Sequence, residues 1–146
     1  MSCRVICGVL VAGAMSVTLH ADQGNTPIGA WRGESKCMMT PSACRDEDSL
    51  YRIAAVADAD TKLTLTADKI VDGKEVDMGA SECSFSPDTH VLNCPLPNGS
   101  VVCFELKGDS LNGTMTLADG TVWRKIVLRR IRAPKRSKYQ SFRSLR

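Results

Sequence analysis

Leu111-Asn112-Gly113-Thr114-Met115-Thr116-Leu117 decides the fold: its apolar residues recur at every second or fourth position, setting Leu111, Met115 and Leu117 on one face. Leu63-Thr64-Leu65-Thr66 repeats the pattern, leucines one way and threonines the other. Around these stretches Gly, Asp-Gly and Asn-Gly punctuation interrupts the chain too often for a helix of useful length. The candidate strands are 30–36, 49–57, 61–67, 69–76, 79–86, 91–94, 101–107, 111–117 and 122–132. Hairpin-like connections fall at Asp72-Gly73, Pro97-Asn98-Gly99, Gly108-Asp109 and Asp119-Gly120. Consecutive strands joined by short turns make an all-β antiparallel meander of about eight strands. An apolar face on each must be buried, so the sheet closes into a barrel or folds over as a two-sheet β-sandwich.

Residues 1–21 have the form of a secretory signal peptide, with Arg4 ahead of an apolar stretch from Val5 to Val17 that is too short to span a bilayer. Cleavage after Ala21 keeps the longer apolar run, whereas Ala12-Gly13-Ala14 fits the small-residue rule better. The remaining part of about 125 residues is one domain, 22–132, followed by a basic tail, 133–146. The product is expected to be periplasmic or secreted, and no other apolar run approaches a transmembrane helix.

The net charge of +3 hides an asymmetry. Residues 22–123 carry 8 Lys+Arg against 16 Asp+Glu, whereas 124–146 carry 10 Lys+Arg and no acid. After the Ala133-Pro134 break no apolar face repeats, so the tail reads as disordered and solvated. As a binding arm it offers Lys135, Arg136, Lys138, Arg143 and Arg146 to an anionic envelope surface or protein, with Tyr139 and Phe142 adding contact area.

Of seven cysteines, Cys3 and Cys7 lie in the signal, leaving five. If Asp88-Thr89 centres a hairpin, Cys83 faces Cys94 and Phe85 faces Leu92, so one register serves both a disulfide and the core. Cys37 and Cys44 enclose a short loop, and nearness favours their pairing. Cys103 is left over on the side of Glu105 and Lys107, as a free or intermolecular thiol or one covered by neighbouring structure. Neither cysteine spacing suits zinc.

Catalytic candidates are few. His20 leaves with the signal, and His90 sits at a predicted hairpin tip. No nucleophile elbow, papain-like cysteine motif or phosphate loop occurs, so an enzyme is disfavoured and no cofactor is expected. Asp46-Glu47-Asp48 lacks the ligand spacing and glycine of an EF-hand and reads as a solvated loop.

Gly29-Ala30-Trp31 resembles the opening of lipocalin-type up-and-down barrels. That resemblance implies that Trp31 closes one barrel end beneath an arginine of the last strand, for which Arg129, Arg130 and Arg132 are available and Arg130 is favoured. Cys44-Arg45-Asp46-Glu47 with Tyr51-Arg52, the stretch 67–79 and the stretch 113–124 are similar to small exported bacterial proteins of unknown function. The resemblance implies a calycin-like barrel and an envelope location, and no activity.

Two functions compete. One is a non-enzymatic binding module for a small apolar or amphipathic ligand held in the barrel mouth, weakened by size, since short strands can leave an interior filled by Leu63, Leu65, Phe85, Leu92, Phe104, Met115 and Trp123. The other is a periplasmic interaction or inhibitor protein acting through loops or the tail. A thiol-based redox protein is a third class, resting on Cys103.

Overall fold

The computed structural model describes residues 24–40, 43–59 and 61–132. The expected signal peptide and the basic tail lie outside the described residues. Eight strands follow one another: β1 Gly29–Cys37, β2 Glu47–Ala55, β3 Lys62–Val71, β4 Lys74–Ser86, β5 Val91–Pro95, β6 Val101–Lys107, β7 Ser110–Thr116 and β8 Val122–Arg130. Each pairs antiparallel with the next, and β8 returns to β1 with Trp31 opposite Arg130 and Gly33 opposite Leu128. The sheet therefore closes as an up-and-down barrel, and the two-sheet sandwich is set aside.

Period-two patterning decides what points inward. In β6 Val102, Phe104 and Leu106 are buried while Cys103, Glu105 and Lys107 are exposed. In β8 the inward set is Arg124, Ile126 and Leu128. Val102, Phe104, Leu106, Ile126 and Leu128 join Trp31, Ile53, Leu63, Leu65, Leu92 and Leu111 in one core, where the Tyr51 and Phe104 rings meet edge to face at 5.8 Å. Two inward positions are glycines for want of room. A Cβ on Gly33 would drive into the Val127 carbonyl oxygen, and one on Gly113 into that of Cys103.

Three sequence expectations are corrected. Residues 69–76 form no strand of their own, because Asp72 and Gly73 both take positive φ (51° and 75°) and turn the chain between β3 and β4. Trp123 does not fill the interior: Met115 pairs with Arg124 and Thr116 with Val122, so Trp123 is the unopposed residue of a bulge and stands half-buried at the barrel's rim. Leu117 lies beyond β7, its N–H donating to the Thr121 carbonyl across the turn.

Candidate functional site

The two ends of the barrel are built differently. At the end where β1 begins, the Trp31 indole is fully buried and its Nε1 donates to the Pro27 carbonyl at 2.8 Å. The Arg130 guanidinium lies 4.2 Å from the centre of the Trp31 ring. It donates to the Thr26 and Ile28 carbonyls, both at 2.7 Å, and through Nε to Asp109 at 3.2 Å. Residues 26–28 are thus strapped across the barrel, and this end is sealed. Arg129 and Arg132 are exposed, and Arg132 pairs with Asp109 outside the plug.

The other end is hollow. A cavity of about 450 Å³ opens there. Tyr51, Leu65 and Val102 form its floor, Ala67, Leu96 and Met115 its walls, and Lys69, Met78 and Trp123 stand at its rim. Space exists because Ser35, Ser49, Ala67 and Ser81 put small side chains on the lining of four neighbouring strands. Across the mouth Arg124, only 7% exposed, donates to the Ser35 carbonyl and hydroxyl (3.3 and 3.2 Å), to the Arg45 carbonyl (3.1 Å) and to Glu47 Oε1 (3.2 Å). Its acceptors bring β1, β2 and the 43–46 segment together. Burial, reinforced by the nearby Glu47 charge, pushes the Tyr51 phenol up to about 12, so it remains a hydroxyl at neutral pH.

Arg124 escaped the sequence analysis. Its signal was present, since it shares the inward phase of Ile126, Leu128 and Arg130, but an arginine in that phase is easily taken for an outward residue. Lys69 at the rim has no carboxylate partner among the described residues.

The cysteines take defined places. Cys83 and Cys94 are both buried and disulfide-bonded with Cα atoms 4.2 Å apart, on the register that sets Phe85 opposite Leu92. Cys37 and Cys44 are bonded with Cα atoms 5.8 Å apart. Cys103 is exposed between Asn93 and Thr114, so among the described residues nothing covers it. His90 stands exposed in the β4–β5 turn at φ 57°.

The acidic run is divided three ways. Asp46 accepts the Cys37 N–H, Glu47 turns inward to Arg124, and Asp48 turns outward to Arg32. Among the described residues no group of three or more His, Cys, Asp or Glu is placed to hold a metal ion. Lys135, Arg136, Lys138, Arg143 and Arg146 lie outside the described residues.

The geometry defines an eight-stranded antiparallel barrel, plugged at one end and hollow at the other. No protein-family model, curated protein or solved structure matches the chain.

Proposed function

We propose that this protein is an exported, non-enzymatic binding module that takes a small apolar or amphipathic ligand into the hollow end of its barrel. The cavity is the observation that carries this: its volume lies within the range of small-molecule sites, and its lining is mainly apolar with a few placed polar groups. A ligand's apolar body fits against Leu65, Val102 and Met115. Its polar end meets Lys69 at the rim and the Tyr51 hydroxyl deeper in. Arg124 and Glu47 satisfy each other, so they shape the mouth without demanding a charged partner. The plugged end, with Arg130 over Trp31, supports a lipocalin-like reading. Two disulfides are compatible with a periplasmic or extracellular setting, and among the described residues no helix is long and apolar enough to cross a membrane.

The test is titration of the purified mature protein with a fluorescent fatty-acid analogue, alongside native mass spectrometry. Saturable one-to-one binding is expected, with quenching of Trp123 at the rim and little change in Trp31 behind the core. Ala67→Leu, which adds volume to the cavity wall, should abolish binding while leaving the fold intact. Absence of saturable binding, or equal binding by Ala67→Leu, overturns the proposal.

A further inference from the structure

We infer that the outer face of β8 docks on an anionic phospholipid surface. Three alternate positions of the last strand point outward, Lys125, Val127 and Arg129, and the exposed Ile131 follows just past its end. Ile131 continues the strand, its N–H donating to the Ala30 carbonyl at 2.8 Å. The strip runs roughly 20 Å at the usual rise per strand residue. Both cations are exposed, and Val127 and Ile131 keep 41% and 46% of their surface in water.

The neighbours leave those cations without an ion pair, although Glu34 of β1 lies opposite Val127, between them. In the β1–β8 register Arg129 lies directly opposite Arg32 and Lys125 directly opposite Lys36, two like-charge pairs of the kind that destabilise a sheet. Arg32 has its carboxylate on the far side, in Asp48 of β2, and Lys36 has Glu34 of its own strand. On the other flank β7 sets Ser110, Asn112 and Thr114 opposite Arg129, Val127 and Lys125, with no acid among them. Neither Lys125 nor Arg129 has a carboxylate partner among the described residues. An external anion removes this repulsion.

The composition of the strip selects the kind of anion. An aliphatic side chain between cations suits a headgroup layer, where the cations meet phosphates and the aliphatic groups enter the acyl boundary. Single-stranded nucleic acid calls instead for aromatic stacking platforms, and the strip has none. Glu34 is the one acid that β1 or β7 sets opposite this strip, and a planar partner touching this face alone avoids most of the barrel's other carboxylates, since charges farther away than about 8–10 Å are screened. The chain leaves the described region at Arg132, at the end of this strip, and the fourteen residues that follow in the sequence carry five cations and no acid.

The test uses the full mature chain and two vesicle types: phosphatidylglycerol mixed with phosphatidylcholine, and phosphatidylcholine alone. Binding is expected only to the first and should weaken steeply with salt. At about 1 kcal/mol per surface cation, K125T/R129T should bind the anionic vesicles about 30-fold more weakly. V127T/I131T should lose several-fold on vesicles but nothing on heparin. Lys107→Thr, which removes an outward cation of β6 paired with Glu105, should change neither. All these positions are exposed, and unchanged thermal unfolding checks that each variant is folded. Wild-type vesicle affinity in K125T/R129T overturns the inference. So does an apolar variant that binds vesicles normally while the protein binds heparin or duplex DNA equally well, which would assign the face to a polyanion.

Discussion

Replacing Arg130 by Met tests the plug. The substitution keeps the apolar stem and removes the guanidinium, so Trp31 loses its cation while the Thr26 and Ile28 carbonyls lose charged donors at 2.7 Å. Hydrogen bonds to a charged group contribute roughly 1.5–3 kcal/mol each, and a desolvated cation over an indole up to about 2. The buried methionine tail returns about 1 kcal/mol of that on transfer grounds, leaving a net loss of about 2–7 kcal/mol, a large share of the ~5–15 kcal/mol that holds a typical domain together. The assay is urea unfolding in a Trp123→Phe background, so that emission reports Trp31 alone. At a slope of ~1.5 kcal/mol per molar urea, the midpoint should fall by at least about 1.3 M. Arg129→Met is the neighbouring control: it is exposed, faces Arg32 across the sheet, and should change stability by no more than ~0.5 kcal/mol, in the stabilising direction. Asp109→Asn should lower the midpoint far less than Arg130→Met, because the Asp109 carboxylate is 38% exposed. Equal midpoints for Arg129→Met and Arg130→Met would refute the reasoning.

Gly113→Ala should destabilise by ~1–3 kcal/mol or more, because the added methyl meets the Cys103 carbonyl, which cannot yield without moving β6; urea titration checks this. Tyr51 gives a pH prediction with a definite sign. Its folded pKa is about 12 against 10.0 ordinarily, so the unfolded chain releases the proton first and stability falls as pH rises from 10 to 12. Tyr51→Phe should flatten that part of a stability-against-pH curve. The double variant Cys83→Ala/Cys94→Ala should lose about 3 kcal/mol from loop closure plus some packing, measured by chemical unfolding. Cys103 should take up one equivalent of a thiol probe in the folded, non-reduced protein, read by intact mass; no uptake before unfolding would contradict its exposure.

The hairpin containing Cys83 and Cys94 was legible because two independent constraints agree on one register: the disulfide needs those residues opposed, and the core needs Phe85 opposite Leu92. The inward phase of β6 was legible for the same reason, since Val102, Phe104 and Leu106 admit one face. Trp123 was misplaced because a bulge adds one residue and reverses every later assignment, with no local signature to announce it. The cavity was not legible at all. Ser35, Ser49, Ala67 and Ser81 are unremarkable in their own strands, and only closure of the sheet gathers them at one end. A count of small residues in the inward phase of successive strands would have pointed there.

A barrel hollow at one end must take its cohesion from the other, and β8 reconciles the two by parity. Its even positions run Arg124, Ile126, Leu128 and Arg130: an arginine at each end of an apolar pair, one bracing the open mouth and one sealing the plug. A leucine at 124 would leave the Glu47 carboxylate without its partner and free the Arg45 carbonyl that ties the Cys37–Cys44 loop to the rim. An arginine there spans three segments through its rigid fork of donors, so the mouth is held from its edge and the space beside it stays open. The odd positions, Lys125, Val127, Arg129 and Ile131, contribute almost nothing to the core, and across β1 Lys125 and Arg129 face like charges, with Glu34 opposite Val127 between them. Substitutions in this strand should therefore separate by residue parity: even positions change stability or cavity shape at unaltered surface affinity, and odd positions do the reverse. A set of threonine replacements from 124 to 131, scored for both unfolding midpoint and vesicle binding, would expose a failure of that separation at any one position.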